Sequence, residues 1–340
     1  MRRSGKGGSG SRIRTAPTVV LIVAILVVLA GCGPSGGGTG AWSGPVTVAQ
    51  RATLVSVSCP TTSRCVAIDD QGRLVSLVRG VWFSGSAIPG AESSANSQVG
   101  ISCVGVTWCQ AALGNGAMAV FAGSTWTTFG VVDKGGDIVS LSCPTTRFCA
   151  AVDDDGKALI YRGTWSAPVA VDSGGQLQDV SCTGSTFCMA VSTDTPGTAY
   201  RFNGTRWSAV AAPNPSTPEG GSEPNTLSAV SCASSTYCVA LDDFGEAFVW
   251  NGGSWSNPVT FDSQLQDGDD AVSCPAKGFC MVVDDNGNAV PILEGSPGSS
   301  RQLDSSSVGL NDVSCASAAR CVAVGGHSRV YTYSASTNAS

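Results

Sequence analysis

Histidine is almost missing: the 340-residue chain has one, His327. An imidazole metal centre or a Ser-His or Cys-His nucleophile pair therefore has little to draw on. His327 lies in a turn beside Gly325 and Gly326, without a recognisable partner for general-base work. Charge is also sparse, at 13% of residues, but 42% apolar residues allow a large core and exclude a disordered chain. No long run carries apolar residues at helical spacing. Forty-three Gly and abundant Ser and Thr leave short strands joined by tight turns, hence a nearly all-β fold. The net charge is −6, and Arg2, Arg3, Lys6, Arg12 and Arg14 lie in a stretch without acids, so the remainder is more acidic still. Acidic surface repels phosphate backbones, which argues against nucleic acid as a partner.

Those five basic residues precede an apolar run from Val19 to Ala30, which ends in Leu29-Ala30-Gly31-Cys32. A secretory signal has this order, and the run falls short of the roughly 20 residues a membrane-spanning helix needs. Leu-Ala-Gly-Cys resembles the lipobox of bacterial lipoproteins. The resemblance implies a signal peptide over 1–31, cut before Cys32, whose thiol then carries a diacylglycerol. Fifteen cysteines leave one unpaired, and Cys32 alone stands outside the repeat described next. At about 0.8 kcal/mol per buried methylene, two or more acyl chains hold a domain on a membrane. The expected address is the extracytoplasmic face of the cell membrane. Residues 32–41 form the lipidated Cys and a flexible Gly/Ser tether.

The rest of the chain is a repeat. A Ser-Cys pair, five residues and a second Cys recur seven times: Cys59 and Cys65, Cys103 and Cys109, Cys143 and Cys149, Cys182 and Cys188, Cys232 and Cys238, Cys274 and Cys280, Cys315 and Cys321. First cysteines are 44, 40, 39, 50, 42 and 41 residues apart, the period of four-stranded propeller blades. In the third copy the expected strands are Ile138–Cys143, Cys149–Asp153, Ala158–Arg162 and Trp165–Val171. Near the N-terminus, Trp42-Ser43-Gly44-Pro45 copies the start of a fourth strand, like Trp165-Ser166-Ala167-Pro168, but has no first three strands before it. The seventh repeat stops after Tyr333 without a fourth strand. The two ends complete one blade between them, so the expected fold is a seven-bladed β-propeller over 42–333, followed by a disordered tail at 334–340. Such closure hides the sheet edges an open stack would expose. The chain resembles disulfide-bearing β-propeller lipoproteins and secreted repeat proteins of actinobacterial type.

Most recurring residues read as scaffold. Cys-x5-Cys across a tight hairpin lets neighbouring strands bridge as disulfides in an oxidising compartment; the spacing does not suit a zinc knuckle, and no metal site is expected there. Trp42, Trp82, Trp126, Trp165, Trp207 and Trp255 share one blade position, which suits packing between neighbouring sheets better than a row for sugar rings. The Ser before each first Cys suits the narrow axis, with a ring of channel hydroxyls as the functional alternative. Acidic turns follow the second strands, and their Asp and Gly favour tight turns. Their side chains Asp70, Asp154, Asp194, Asp243 and Asp285, with His327, form the candidate ligand face, where calcium or a basic ligand is the sharper reading. That face also carries the irregular connectors, the longest containing the Pro-rich stretch from Ala212 to Glu219.

No nucleophile or acid-base pair stands apart from the repeat. The expected function is a non-catalytic binding or scaffolding lipoprotein, monomeric and without a cofactor, which presents a propeller face to an envelope protein or cell-wall glycan. The alternative is a sialidase-like glycan hydrolase using carboxylates of the acidic turns.

Overall fold

The computed structural model describes residues 40–48, 52–91, 100–113, 116–194, 197–211, 226–263, 270–306 and 309–335. The expected signal peptide, Cys32 and most of the tether, the stretch from Ala212 to Glu219, and residues 336–340 of the expected tail lie outside the described residues.

Seven antiparallel sheets follow one another as blades. Blade 1 shows the pattern, with strands Leu54–Thr61, Arg64–Asp69, Arg73–Val78 and Val81–Ala87 paired in chain order. The second strands are buried along their length, as in Phe148–Asp153 and Tyr237–Asp242, whereas the fourth strands are mostly exposed. Blade 7 is assembled from both ends of the chain. Gly40–Thr47 pairs antiparallel with Arg329–Ala335 beside Arg320–Gly325 and Leu310–Ser317, and sets Trp42 opposite Tyr333. This closes the ring as the two half-blades in the sequence require. The closing ladder runs to Gly40 and Ala335, past the expected limits of 42 and 333, because Gly40 and Ala41 find partners in Ala335 and Ser334.

Among the described residues, seven apolar clusters make up the core, and each joins two consecutive blades. Leu54, Val57 and Leu77 of blade 1 meet Val322, Val324 and Val330 of blade 7, so the last junction is packed like the other six. A blade alone leaves an apolar face open on each side, and only a closed ring covers all of them. The recurring tryptophans belong to this packing. Each sits opposite a large residue of its own third strand, and Trp42, Trp126, Trp165, Trp207 and Trp255 meet aromatic partners in tilted pairs with ring centroids 5.2 to 5.6 Å apart.

The fourth strands depart most from expectation. In blades 3 and 5 they shrink to Val169–Ala170 and Val259–Thr260, with Trp165 and Trp255 held by single bridges. Pro168 and Pro258 have no N–H to give a ladder. Ser166 and Ser256 hydroxyls instead accept the N–H of Ile160 and Val249 on the third strand, both at 3.0 Å. In blade 6, which lacks the Trp, Ser296–Pro297 and Arg301–Gln302 both pair with Asn288–Leu293.

All seven cysteine pairs are disulfides within their own repeat. Cys59 is bonded to Cys65, Cys103 to Cys109, Cys143 to Cys149, Cys182 to Cys188, Cys232 to Cys238, Cys274 to Cys280 and Cys315 to Cys321, and each bond joins the first strand of a blade to its second. In blades 2, 4, 5 and 7 the two cysteines are direct partners in the strand register: Cys103 faces Cys109, Cys182 faces Cys188, Cys232 faces Cys238 and Cys315 faces Cys321. In blades 1, 3 and 6 the register shifts at that point, yet Cys65, Cys149 and Cys280 still reach their partners.

Candidate functional site

The first strands of all seven blades converge on an axial funnel of about 480 Å³. Two layers of side chains hold its wall together. In the first, the hydroxyl of each Ser before a first Cys accepts the N–H of the first Cys in the next blade. Ser58 takes Cys103, Ser102 takes Cys143, Ser142 takes Cys182, Ser181 takes Cys232, Ser231 takes Cys274, Ser273 takes Cys315, and Ser314 returns to Cys59, all at 2.9 to 3.0 Å. The recurring Ser is a clasp between blades. Sequence reasoning asked for a small residue there, or a ring of channel hydroxyls, and missed the clasp because its partner belongs to the neighbouring repeat.

Two residues earlier on each first strand, on the same side by the period of two, stand Ser56, Gly100, Ser140, Asp179, Ala229, Ala271 and Asp312. Here the clasp is incomplete. Ser56 and Ser140 accept the N–H of Ile101 and Val180 at 3.3 Å. Asp312 accepts Val57 of the next blade and Val313 of its own, both at 2.7 Å, and Asp179 accepts Val230 at 2.8 Å and Val180 at 2.7 Å. Both carboxyls front the funnel, and Asp270 also contributes to its wall. Burial pushes Asp312 up to about 7, with the charge of Asp179 adding to the rise. Burial likewise raises Asp179. These acids were missed because the repeat was aligned on its cysteines and acidic turns; comparison of the position two before Ser-Cys would have exposed them.

The acidic turns lie on the face that carries the connectors between blades. The carbonyl of each turn glycine accepts an N–H from the segment leaving the same blade: Gly72 from Ile88, Gly116 from Val132, Gly156 from Val171, Gly245 from Phe261 and Gly287 from Leu303. Within the turns the first Asp is buried and works for the fold. Asp69, Asp153 and Asp242 each accept two backbone N–H groups of their own turn, and Asp284 accepts the N–H and amide of Asn288.

The expected ligand-face residues stand beside these. Asp154 accepts the N–H of Asp137, and Asp243 accepts both the N–H and hydroxyl of Thr226, so each ties its turn to the connector entering the blade. Asp70 and Asp285 are exposed. Asp194 lies beside Asp172, and His327 is exposed in a short 3-10 turn at φ 56°. The face gathers them around a ring, each in its own blade. Among the described residues, no group of three or more His, Cys, Asp or Glu side chains is placed to hold a metal ion.

The connectors bring a second set of acids that the sequence reading did not single out. Asp133, Asp172, Asp262 and Asp304 stand where the chain leaves blades 2, 3, 5 and 6, and the first three fall seven residues after a blade Trp. Three meet acids of the next blade. Burial and then the Asp133 carboxyl push Asp153 up to about 7; burial, with Asp262 nearby, takes Asp284 to about 6; burial and Asp172 raise Asp194. Asp133 Oδ2 and Asp153 Oδ2 are buried without another hydrogen bond, which suits one proton held between them, and the Lys157 ammonium 3.8 Å from Asp153 Oδ2 offsets part of the rise. Blade 7 has Gly325 where the turn Asp would be, and there the interaction changes sign. Burial alone would raise Asp304, but Ser306, Arg329 at 2.7 Å and Tyr331 at 2.9 Å hold it down to about 2.

Neither a protein-family model nor a curated protein matches the sequence. Solved structures do match in fold. YCF48 from Cyanidioschyzon merolae is 13% identical with a TM-score of 0.66, over 86% of this chain and 99% of that one. YCF48 bound to D1 peptide is 11% identical with a TM-score of 0.64, over 87% and 97%. A virginiamycin B lyase from Staphylococcus aureus is 4% identical with a TM-score of 0.72, over 87% and 99%. The class these likenesses and the topology define is the seven-bladed β-propeller. At such identities they speak for the fold alone.

Proposed function

We propose that the protein is a protein-binding scaffold, anchored by lipid at Cys32 to the extracytoplasmic face of the membrane, which receives its partner at the axial funnel. One observation carries the reading. The first acid of each acidic turn is hydrogen-bonded into its own turn, whereas the funnel is a roomy polar concavity to which every blade contributes. A cleft with a few converging polar groups is the usual form of a binding site. YCF48 with a bound D1 peptide shows that this fold can take a peptide, which supports a protein ligand over a glycan.

A photo-crosslinking residue at Gln178, in the funnel wall, tests the site in cells, with one at exposed Phe129 on an outer strand as control. A discrete protein adduct from position 178 alone is expected; no adduct, or the same adducts from both positions, overturns the reading. The anchor is tested separately: Cys32→Ser should abolish labelling by palmitate and release the protein from the membrane fraction.

A further inference from the structure

Carboxyl groups gather in the funnel wall. At the second clasp position blades 1 and 3 use a serine, Ser56 accepting Ile101 and Ser140 accepting Val180, and each hydroxyl also bonds a carboxyl, Ser140 donating to Asp179 at 2.6 Å and Ser56 to Asp312. Blades 4 and 7 instead place carboxyls there, whose desolvation is unfavourable. Asp270 adds a third carboxyl to the wall, and among the described residues no Lys, Arg or His lines the cavity. Low-dielectric walls focus such a field along the axis. Room for a ligand group comes from the same register position in other blades, where Gly100, Ala229 and Ala271 have little or no side chain. Ser228, also in the wall, has a buried hydroxyl without a hydrogen-bond partner among the described residues. The upward pull on Asp312 from burial and from facing Asp179 fits a wall short of positive charge.

We infer that the funnel receives one cationic side chain, a lysine or arginine of the protein partner, which enters along the axis and pairs with Asp312 and Asp179. This rests on the protein-binding reading and names the chemistry that reading leaves open. An ammonium or guanidinium group would give the carboxylates the positive partner the wall lacks, as charge-assisted hydrogen bonds require. A polar neutral group, such as a sugar hydroxyl, would add a hydrogen bond of the kind Ser140 already gives Asp179 but no positive charge.

The test uses residues 33–340, which contain the complete ring, and two capped tripeptides, Gly-Lys-Gly and Gly-norleucine-Gly. Binding is followed by NMR at the amides of Val57 and Val230, whose N–H groups donate to Asp312 and Asp179. The lysine peptide should shift both amides saturably and the norleucine peptide should not. The double variant Asp179→Ser, Asp312→Ser keeps the clasp chemistry of blades 1 and 3, and should weaken lysine binding about tenfold or more while its melting curve stays cooperative. Equal shifts from both peptides, or undiminished binding by the double variant, overturn the inference. If the adduct at position 178 persists in the double variant at full yield, the scaffold reading survives without the cation. If neither peptide nor adduct is seen, both fail.

Discussion

The turn glycines show how much a single residue decides. Gly156 and Gly123 have the same φ of +75°, in the left-handed region that disfavours a side chain. A Cβ on Gly123 meets nothing within 4 Å, but one on Gly156 would collide with the Asp172 carbonyl in the docked connector. Gly123→Ala should therefore cost about 1–2 kcal/mol, and Gly156→Ala clearly more, by urea unfolding of each. Equal costs would show that the turn is not pinned to the connector. The Ser clasp is a second case. Ser142→Ala leaves the N–H of Cys182 without its acceptor, at a cost of about 1–3 kcal/mol, whereas alanine at exposed Ser166 should cost less. Both effects come from contacts between segments that the repeat keeps apart in sequence.

At the scale of elements, the strand Gly40–Thr47 controls the ring. Without it, Arg329–Ala335 becomes an open edge and Tyr333 loses the indole of Trp42. Exposed edges invite pairing with another chain. A chain that begins after Thr47 should elute as dimers or larger species and unfold over a broader transition, as size-exclusion chromatography and calorimetry would show. A monomer with unchanged cooperativity would mean that the seven-cluster core closes without this strand. The disulfides act within single blades. Each closes a loop between cysteines six positions apart, and the chain-entropy model gives roughly 2 kcal/mol for so small a ring. Reduction should lower the melting temperature by many degrees.

For the whole molecule, the carboxyl pairs between blades and the acids of the funnel act in one direction with pH. Asp153 and Asp312 rise from 3.8 to about 7 and Asp284 to about 6. Groups raised in the folded state bind their protons more tightly there than in the unfolded chain. Their contribution is complete below about 4 and is lost as pH rises through 6 and 7. Asp304, held down to about 2, opposes this only in strong acid, as its contribution disappears when pH falls through 2. The melting temperature should thus be higher at pH 5 than at pH 8, by roughly 5 °C or more. Asp153→Asn, whose amide can donate to Asp133 without a titrating proton, should flatten part of that slope. A melting temperature that climbs from pH 5 to pH 8 would show that the pairs do not hold their protons.

The sequence by itself determined the blade count, the closure by Trp42 and its neighbours, and the cysteine partners. Each of these is written in short, repeated spacings: a Cys-x5-Cys hairpin, a turn glycine, a half-blade at each end. The shrunken fourth strands of blades 3 and 5 were half legible, since Pro168 and Pro258 stood in plain view but Ser166 and Ser256 gave no sign of replacing ladder bonds. Only the tertiary structure decided which acids meet. Asp133 reaches Asp153 across a blade junction, Arg329 answers Asp304 where Gly325 has removed the turn acid, and Asp179 and Asp312 face one channel from opposite parts of the chain. Ring curvature and burial set these meetings, and neither leaves a local pattern in the chain.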